Sequence, residues 1–477
     1  MEHYILQLGA LLAATAAAAL LLDYLKQSSI LAYLLVGIVA WYAGLEINEH
    51  VVDILSETGI ILLLFMAGLE VNIQSFLQNW KRVLTVGLGQ ISLNALLGMA
   101  IAYFVMDIEA ITTLVFFGLC LTFSSTIVVL GYLRAKREME SIHGQLILGI
   151  MVLQDIVAVL ALAILKGIKD SGEAGMAGIV LMLFVKLIVL GILLYLAANY
   201  VLKPLFRRFA TSSEMLLIGT MGWALGIAAL GEAIHFSPEI AAFMAGAALT
   251  ALPYKLEMED KVDPLKSFGI IFFFITVGYG LEPSAAMFAQ WPGITASLLL
   301  AVIGTVFLGL FLGYIARLKG RTSFMIGGII NQISEFSLIL ATLAKGAGIF
   351  SDSVYVTVAL ASVLSIFISS FWLPRLSEMY QKIARRLQFL DERSVNRDLD
   401  EEINPELHDH VVLLGYNALS KTIAEHLVRS GLPILIIDLD PDTVSLVEEE
   451  ENELVNGLYA DIYDPDTWHE TGFARAR

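Results

Sequence analysis

Thirteen apolar stretches fill the first 373 residues of the chain, and this pattern constrains the fold more than any other feature of the sequence. Hydrophobic residues make up 57% of the 477 residues and charged residues only 16%. Soluble proteins are closer to half apolar and a quarter charged. Because so much apolar surface cannot be buried in soluble cores, we predict a polytopic α-helical membrane protein. The stretches lie near residues 4–22, 29–45, 55–69, 83–106, 111–133, 142–166, 176–200, 214–234, 238–252, 264–280, 291–316, 323–344 and 352–373.

The formal net charge of −17 is concentrated in the last 87 residues. Residues 391–477 contain 21 acidic and six basic residues, whereas residues 1–390 contain 25 acidic and 23 basic residues. This difference predicts a nearly neutral transmembrane domain over 1–390, a linker over 391–409 and an acidic cytoplasmic domain over 410–477. The acidic balance excludes a nucleic-acid-binding protein, and the single cysteine excludes intramolecular disulfides and cysteine-based zinc sites.

The basic residues between the stretches predict the orientation of the chain in a cell (inner) membrane. Fifteen Lys and Arg residues follow odd-numbered stretches, and only Lys166, Lys169 and Lys345 follow even-numbered ones. Basic loops stay in the cytoplasm, so we place the N-terminus outside and the acidic domain inside. A wrong helix count would have disturbed this alternation. We therefore predict thirteen transmembrane helices.

Two segments of the first half of the transmembrane domain recur in its second half. Gly59–Glu70 resembles Gly269–Glu282, and Ser28–Gly37 more weakly resembles Ser237–Gly246, at an offset of about 210 residues. This offset spans seven helices, an odd number, so the copies have opposite orientations in the membrane. The pattern predicts inverted repeats of helices 1–6 and 8–13. Inverted repeats are typical of secondary transporters, whose substrate site lies near mid-membrane.

Asp155 is the main candidate for an ion-binding residue because it lies near the centre of the sixth stretch. A carboxylate at the bilayer centre costs roughly 2.5–3.5 kcal/mol on insertion scales, so it usually faces a cavity or a partner. Desolvation favours its protonated form, whereas a nearby cation favours its ionised form. One carboxylate can therefore bind a proton or a cation in turn, as a cation/proton antiporter requires. The alternative is a protonated structural acid that hydrogen-bonds a neighbour.

Neighbouring polar side chains offer further oxygen ligands for an alkali cation. Gln154 carries a neutral amide carbonyl directly before Asp155. The fifth stretch contains clustered hydroxyl residues, which can satisfy backbone groups where a helix unwinds. Their alternative role is ordinary helix packing through small polar residues. The predicted ion-binding residues are Asp155, Gln154, Ser125, Thr126, Thr122 and Ser124.

The twelfth stretch is the repeat counterpart of the fifth, so a second interrupted helix is expected there. Ser334 follows Ser124 at the offset of 210 residues. Glu335 is either a second ionisable group of the ion pathway or a support for the end of a broken helix. Lys186, within the seventh stretch, has no assigned role. The polar residues of the twelfth stretch are Asn331, Gln332, Ser334 and Glu335.

These residues resemble the monovalent cation:proton antiporter-2 family, and within it the Kef-type potassium-efflux branch. The resemblance covers nearly the whole transmembrane domain and keeps the order of the motifs. Beside the Gln154-Asp155 pair, the matching segments are ETGIILLLFMAGLE (57–70), LTFSSTIVVLGYL (121–133), SPEIAAFMAGAAL (237–249), VDPLKSFGIIFFFITVGYGLE (262–282) and SEFSLIL (334–340).

The resemblance implies a homodimer of thirteen-helix subunits in membrane lipid, with helices 5 and 12 broken and crossed, and elevator-like alternating access. It implies that Asp155 binds the ion and that the Gln before it indicates potassium exchange, whereas Asp or Asn there is typical of sodium exchangers. A single carboxylate implies electroneutral, one-for-one exchange. We thus expect potassium, held at Asp155 and Gln154, and protons as substrates, with no catalytic residue and no required cofactor.

Residues 410–477 resemble the first half of an RCK/KTN nucleotide-binding domain and predict a Rossmann-like α/β half-domain. The order is strand, helix, strand, helix, strand, at 410–415, 418–430, 434–438, 441–449 and 455–461. A glycine turn brings a helix N-terminus to a phosphate, and an acid on the second strand holds a ribose. Only the first glycine of that fingerprint is present, so a structural role is the alternative to binding AMP or NAD(H). The candidate nucleotide-binding residues are Gly415, Asp438 and Asp461.

Three other functions were weighed against potassium/proton exchange. A sodium/proton antiporter shares the fold and differs in the cation. An RCK-gated cation channel needs a selectivity filter, and the sequence has no TVGYG-like segment. A membrane oxidoreductase would use the Rossmann-like half, but the sequence has no set of haem, flavin or cysteine ligands. We therefore expect a transporter and not an enzyme.

Overall fold

A computed structural model gives the architecture of most of the chain. It describes residues 2–24, 27, 29–45, 49–70, 80–136, 138–139, 141–170, 176–234, 236–250, 252–281, 290–391, 409–416, 418–438, 454–459 and 476.

Helices make up the described part of the chain before residue 392, as the apolar stretches predict. Two π-helical turns, Ala198–Leu202 and Leu300–Gly304, and a 3₁₀ turn, Leu373–Arg375, connect some of the helices directly. The helices are α1 (Glu2–Tyr24), α2 (Ser29–Tyr42), α3 (Glu49–Glu70), α4 (Trp80–Phe104), α5 (Ile111–Cys120), α6 (Thr126–Lys136), α7 (Ile142–Asp170), α8 (Met176–Ala197), α9 (Lys203–Phe209), α10 (Ser213–Ala233), α11 (Pro238–Leu249), α12 (Lys255–Tyr279), α13 (Trp291–Leu299), α14 (Thr305–Ile315), α15 (Gly320–Ile329), α16 (Glu335–Gly346), α17 (Asp352–Trp372) and α18 (Leu376–Asp391).

Eight helices of the described residues are long and apolar enough to cross a membrane. Shorter apolar helices lie at Ser29–Tyr42, Ile54–Leu69, Ile111–Cys120 and Pro238–Leu249. A helix needs about 20 residues to cross a bilayer unaided, so these shorter ones depend on their neighbours. The chain is therefore a multi-pass helical membrane protein, and the number of thirteen spans stays a prediction.

The fifth and twelfth apolar stretches are each interrupted near their middle. In the fifth, α5 ends at Cys120 and α6 begins at Thr126; in the twelfth, α15 ends at Ile329 and α16 begins at Glu335. The first break (residues 121–125) contains Thr122, Ser124 and Ser125, and the second break (residues 330–334) contains Asn331, Gln332 and Ser334. Short polar side chains of this kind can bond the backbone in place of the helix. At the second break the Ser334 hydroxyl accepts the Phe336 N–H at 3.1 Å and caps α16.

Most of the helices belong to one of two groups. Helices α1–α3 and α10–α12 contact one another extensively, as do α4, α5, α7 and α13–α18. Helix α6 joins the second group through an apolar cluster that it shares with α4, α7 and α15. Fewer contacts join the groups, among them those of α7 with α11. The largest buried apolar cluster contains residues of both groups, including Leu64 and Phe274 of the first and Phe123 and Phe336 of the second. The surface shared by the groups is thus mainly apolar.

Glycines bring the backbones of α2, α3, α11 and α12 into direct contact. A Cβ on Gly246 would overlap the carbonyl oxygen of Phe65, and a Cβ on Gly37 would overlap that of Ile275. Glycine is needed wherever helix backbones approach so closely. Gly37 and Gly246 are 209 residues apart in the chain, and their contact partners Phe65 and Ile275 are 210 residues apart. Both separations match the offset of the recurring sequence segments.

A buried ion pair fixes the connection between α6 and α7. Oε2 of Glu138 lies 3.1 Å from Nε2 of His143, and the Ser141 hydroxyl donates to the Glu138 carbonyl oxygen at 2.7 Å. Burial by itself raises the pKa of the Glu138 carboxyl, but the His143 hydrogen bond and the charges of His143, Arg321 and Lys136 together hold it below its usual value. The first turn of α7, the helix that carries Asp155, is anchored by this pair.

The C-terminal region contains a small parallel sheet, as predicted. Strands β1 (Val411–Leu414), β2 (Ile434–Asp438) and β3 (Val455–Tyr459) lie in that order, with helix α19 (Ala418–Arg429) between β1 and β2. The central strand is buried on both faces, which explains its continuous run of isoleucine and leucine. The predicted helix at 441–449 lies outside the described residues.

We expect Gly246→Val to destabilise the protein strongly, because the added side chain would separate α11 from α3. Overpacking of this kind costs about 1–3 kcal/mol or more. To measure the effect, the purified protein is heated in detergent and the fraction that stays folded is determined by size-exclusion chromatography. Gly222→Val in α10 is the matched control, since nothing lies within 4 Å of a Cβ added there. Equal losses in the two variants would contradict this account of the glycine contact.

We expect Glu138→Gln to lower stability at neutral pH by about 1–3 kcal/mol, the range for a buried hydrogen bond to a charged group. The folded-state pKa of Glu138 is depressed, so its stabilisation is present above the pKa of an unfolded glutamate and is lost as pH falls through the folded value. The difference in Tm between the variant and the wild type should therefore shrink as the pH of the thermal unfolding experiment is lowered towards 4. The control is Glu232→Gln, which changes an exposed glutamate of α10 and for which a stability difference near zero at neutral pH is expected.

Candidate functional site

Asp155 lines an open cavity of about 200 Å³ between α3, α6, α7 and α12. It lies thirteen residues into α7, which is about 20 Å along the helix, and only 8% of its surface is exposed. Other walls of the cavity come from residues near the ends of α6 and α12, including Arg134, Lys255 and Glu259. Lys255 and Glu259 form an ion pair at 3.7 Å. The cavity thus leads from polar helix ends to a carboxylate deep in a membrane span.

The two helix breaks cross next to Gln154 and bind each other through the backbone. The Ser124 hydroxyl donates to the Ile330 carbonyl oxygen at 2.9 Å. In return, the Ser334 N–H donates to the Phe123 carbonyl oxygen at 2.9 Å. Each break therefore satisfies polar groups that the other exposes, which a membrane interior requires. Ser124 and Ser334 are equivalent positions at the offset of 210 residues, and the structure brings both residues to the crossing.

Gln154 is bound to the first break by both ends of its amide. Its Oε1 accepts the Ser124 N–H at 2.9 Å, and its Nε2 donates to Oε1 of Gln90 at 2.9 Å. A longer contact of 3.3 Å joins Nε2 to the Thr122 carbonyl oxygen. The Gln154 carbonyl, which the sequence suggested as a cation ligand, therefore already accepts one hydrogen bond from the backbone. A carbonyl oxygen has two lone pairs, so one remains.

The hydroxyls of the first break have different surroundings. The Thr122 hydroxyl donates to the Gly118 carbonyl oxygen at 2.9 Å and is used within the helix. Ser125 is fully buried and its oxygen lies 3.5 Å from the Val128 nitrogen. The Thr126 hydroxyl has no hydrogen-bond partner among the described residues. Thr126 also lines the Asp155 cavity, so it is the hydroxyl residue best placed to bind a cation with Asp155.

The polar residues of the second break are all buried, but they do not line the cavity. Ser369 of α17 donates to Oδ1 of Asn331 at 2.9 Å and approaches Oε1 of Gln332 at 3.5 Å. Glu335 lies in the first turn of α16 with 1% of its surface exposed, and its carboxyl group lies close to the hydroxyl groups of Ser125 and Ser334. The cavity lining and the second break are thus separate polar regions.

In the C-terminal region two candidate nucleotide-binding residues, Gly415 and Asp438, lie at the carboxyl ends of strands β1 and β2. Gly415 follows β1 with a φ of +82°, a conformation that favours glycine. The Tyr416 N–H donates to Oδ2 of Asp438 at 2.6 Å, so this acid holds the turn after β1. Asp461 lies outside the described residues. The geometry is that of a Rossmann-type turn with an acid at the end of the second strand.

Sequence reasoning missed Gln90 and Asn94, two amide residues of α4. Gln90 Nε2 donates to the Thr122 carbonyl oxygen at 3.0 Å, and both residues are nearly inaccessible. Their spacing of four residues within an apolar stretch places them on one face of a helix, which is the signal that was available. Lys186, to which no role was given, donates from its Nζ to the Ile234 carbonyl oxygen at 3.2 Å.

Comparison with known families gives two matches, one to most of the helical part of the chain and one to the C-terminal residues. A model described as "Sodium/hydrogen exchanger, transmembrane" matches residues 10–378. A model described as "TrkA-N domain", a nucleotide-binding Rossmann-like domain, matches residues 411–477. Together with the relatives below, these matches confirm the resemblance to the monovalent cation:proton antiporter-2 family and its Kef-type branch.

Two curated relatives and one solved structure illustrate the likeness. The "Putative cation/proton antiporter YbaL" of Escherichia coli (strain K12) is 26% identical over 92% of this chain and 80% of its own length. The "Putative K(+) efflux antiporter KefB" of Alkalimonas amylolytica is 28% identical over 94% of this chain and 67% of its own length. The structure of the sodium proton antiporter MjNhaP1 from Methanocaldococcus jannaschii at pH 8 is similar with a TM-score of 0.57 and 16% identity, covering 81% of this chain and 99% of that chain.

The solved structure supports the fold alone, because its sequence identity is low. The family match carries more weight, since it extends over more than half of the chain and includes both helix breaks and Asp155. The chain therefore belongs to the sodium/hydrogen exchanger transmembrane family, a family of multi-pass cation/proton antiporters.

Proposed function

We propose that the protein exchanges potassium ions for protons across the cell (inner) membrane, and that Asp155 binds both in turn. The observation that carries this proposal is the position of Asp155, deep within α7 on the wall of an open cavity. A carboxylate in such a place is costly unless it is protonated or neutralised by a cation. Occupation by one ion therefore excludes the other, which couples the two fluxes.

Thr126 is the proposed partner of Asp155 in cation binding, with Ser125 beside it. The Thr126 hydroxyl is buried without a described hydrogen-bond partner, and the residue is part of the cavity wall. Alkali cations take oxygen ligands, and water in the cavity can supply the rest of the shell. Gln154, Thr122 and Ser124 contribute chiefly by fixing the first break, because their polar groups bind the backbone there.

Potassium is the proposed cation because of Gln154, the residue before Asp155, and because of the name of one relative. Gln154 is neutral, and the other carboxylate of the cavity, Glu259, pairs with Lys255. Asp155 is therefore the proposed single exchange carboxylate, which favours one-for-one, electroneutral exchange. A relative that covers nearly this whole chain is named for potassium efflux. Sodium is the alternative cation, since the family description and the solved structure refer to sodium.

Alternating access by an elevator-type movement is proposed from the division into two helix groups. The cavity lies between α3 and α12 of one group and α6 and α7 of the other. The shared surface is largely apolar, so sliding breaks few hydrogen bonds. The inverted repeat of helices 1–6 and 8–13 is supported by the paired glycine contacts, Gly246 with Phe65 and Gly37 with Ile275. Thirteen spans, a homodimer and an external N-terminus complete the proposal.

For Glu335 we favour support of a broken helix over a second ion site. The residue lies in the first turn of α16, where the helix dipole stabilises a negative charge. It does not line the Asp155 cavity. If a variant without the Asp155 carboxylate still exchanged potassium for protons, Glu335 would instead be assigned as an ion site.

The C-terminal part is proposed as a regulatory domain over residues 410–477, joined by a linker at 391–409 to the exchange domain at 1–390. Gly415 and Asp438 are arranged as in nucleotide-binding turns, which supports binding of AMP or NAD(H). Its effect on exchange would be regulatory, since none of its described residues lines the Asp155 cavity.

We expect Asp155→Asn to reduce potassium-driven proton flux in proteoliposomes to the level of empty vesicles, because an amide neither takes up a proton nor neutralises a cation. Flux is measured with a pH-sensitive dye trapped inside the vesicles. Asp352→Asn is the matched control, as Asp352 is exposed and pairs with Lys345 at 2.8 Å at the end of α17. Full exchange in Asp155→Asn would contradict the proposed site.

We also expect protons and potassium to compete at one site. The apparent KM for potassium should rise as the pH falls, by up to about tenfold per pH unit, because a proton and a cation exclude each other at one carboxylate. Rates at several potassium concentrations and pH values measure this effect. The same series with sodium and rubidium identifies the preferred cation. A KM that does not change with pH would contradict competition at a single carboxylate.

A further inference from the structure

We propose that Gln90 is a positioning residue of the ion site and acts through Gln154 on the first helix break. The inference rests on the proposed exchange at Asp155, and it assigns a role to a residue of α4 outside the cavity. Gln90 is 2% exposed and lies 64 residues before Gln154 in the chain. The two amides meet at 2.9 Å between Nε2 of Gln154 and Oε1 of Gln90.

The hydrogen bonds fix the orientation of both amides. The backbone nitrogen of Ser124 can only donate, so the atom of Gln154 that faces it must be the carbonyl oxygen. The NH₂ group of Gln154 then faces Gln90, which must present its own oxygen. The NH₂ group of Gln90 in turn faces the Thr122 carbonyl oxygen, which can only accept, at 3.0 Å. The chain of three bonds therefore has one consistent direction.

This chain of bonds joins the two ends of the unwound segment. Thr122 supplies a carbonyl group and Ser124 an N–H group that no helix satisfies, and the amide pair connects one to the other. Removing Gln90 leaves Nε2 of Gln154 with two longer contacts, to the Thr122 carbonyl oxygen at 3.3 Å and to the Ser124 hydroxyl oxygen at 3.4 Å. The Thr122 carbonyl oxygen keeps only the first of these. Buried unsatisfied groups of this kind favour rearrangement. Since Thr126 follows the segment directly and Asp155 follows Gln154, both proposed cation ligands depend on its geometry.

Gln90→Leu should therefore raise the apparent KM for potassium at least tenfold in proteoliposomes, with a smaller effect on the maximal rate. Leucine keeps the volume approximately but removes both hydrogen bonds. The matched control is Asn94→Leu, four residues along the same helix. Asn94 is 1% exposed, and its Oδ1 has no hydrogen-bond partner in the described part of the chain. A KM within twofold of wild type in folded Gln90→Leu would overturn the inference.

Gln90→Glu gives a second test that a purely structural role would not pass. A protonated glutamic acid has one donor and one acceptor and reproduces both bonds of the amide, whereas an ionised one has no donor for the Thr122 carbonyl oxygen. The ratio of Gln90→Glu flux to wild-type flux should rise as pH falls, at least threefold between pH 8.5 and 6. A ratio that does not change with pH would overturn the inference, whether or not Gln90→Leu folds.

Two further results separate this inference from the proposed function. Absence of potassium-dependent proton flux in the wild type would contradict the exchange itself. In that case cation binding can still be measured as the change in Tm that potassium chloride causes relative to choline chloride. A shift in wild type that is lost in Gln90→Leu and kept in Asn94→Leu supports the role of Gln90. An equal shift in all three proteins contradicts it.

Discussion

The exposed backbone of two interrupted helices inside a membrane is the constraint on which the rest of the structure depends. A lipid interior offers no water to bond freed N–H and carbonyl groups, so each must find a partner within the protein. Here the partners come from the other break, through Ser124 and Ser334, and from Gln154. These bonds determine where the breaks cross and which helices must surround them.

The ion site follows from that crossing. Helix α7 approaches the first break so that Gln154 can bond it, and the next residue in the chain, Asp155, is thereby carried to the wall of a cavity. The apolar residues around the crossing come from both helix groups. Asp155 and Thr126 both belong to the cavity wall, which supports proton and cation binding at one carboxylate.

Much of this arrangement could be predicted from residue types and their spacing. The positions of the apolar stretches, the interruption of the fifth and twelfth, and the three strands of the C-terminal sheet all agree with the structure. Asp155 was recognisable because a lone carboxylate in an apolar helix is costly. The number of spans was harder to obtain, since short helices such as α5 and α11 depend on neighbours that the sequence does not identify. Gln90 was missed because an amide in an apolar helix does not indicate a role until its hydrogen-bond partner is known.

The sequence by itself determined that the protein lies in a membrane, that it has a transmembrane part and an acidic part, and which residues are able to bind an ion. These follow from composition and local patterns, which need no knowledge of contacts. Only the tertiary structure decided which polar groups are already occupied. It shows that Gln154 bonds Ser124 and Gln90, that Thr126 is part of the cavity wall, and that Glu335 is not. The physical reason is that a hydrogen bond depends on the positions of two atoms far apart in the chain, and only folding brings them together.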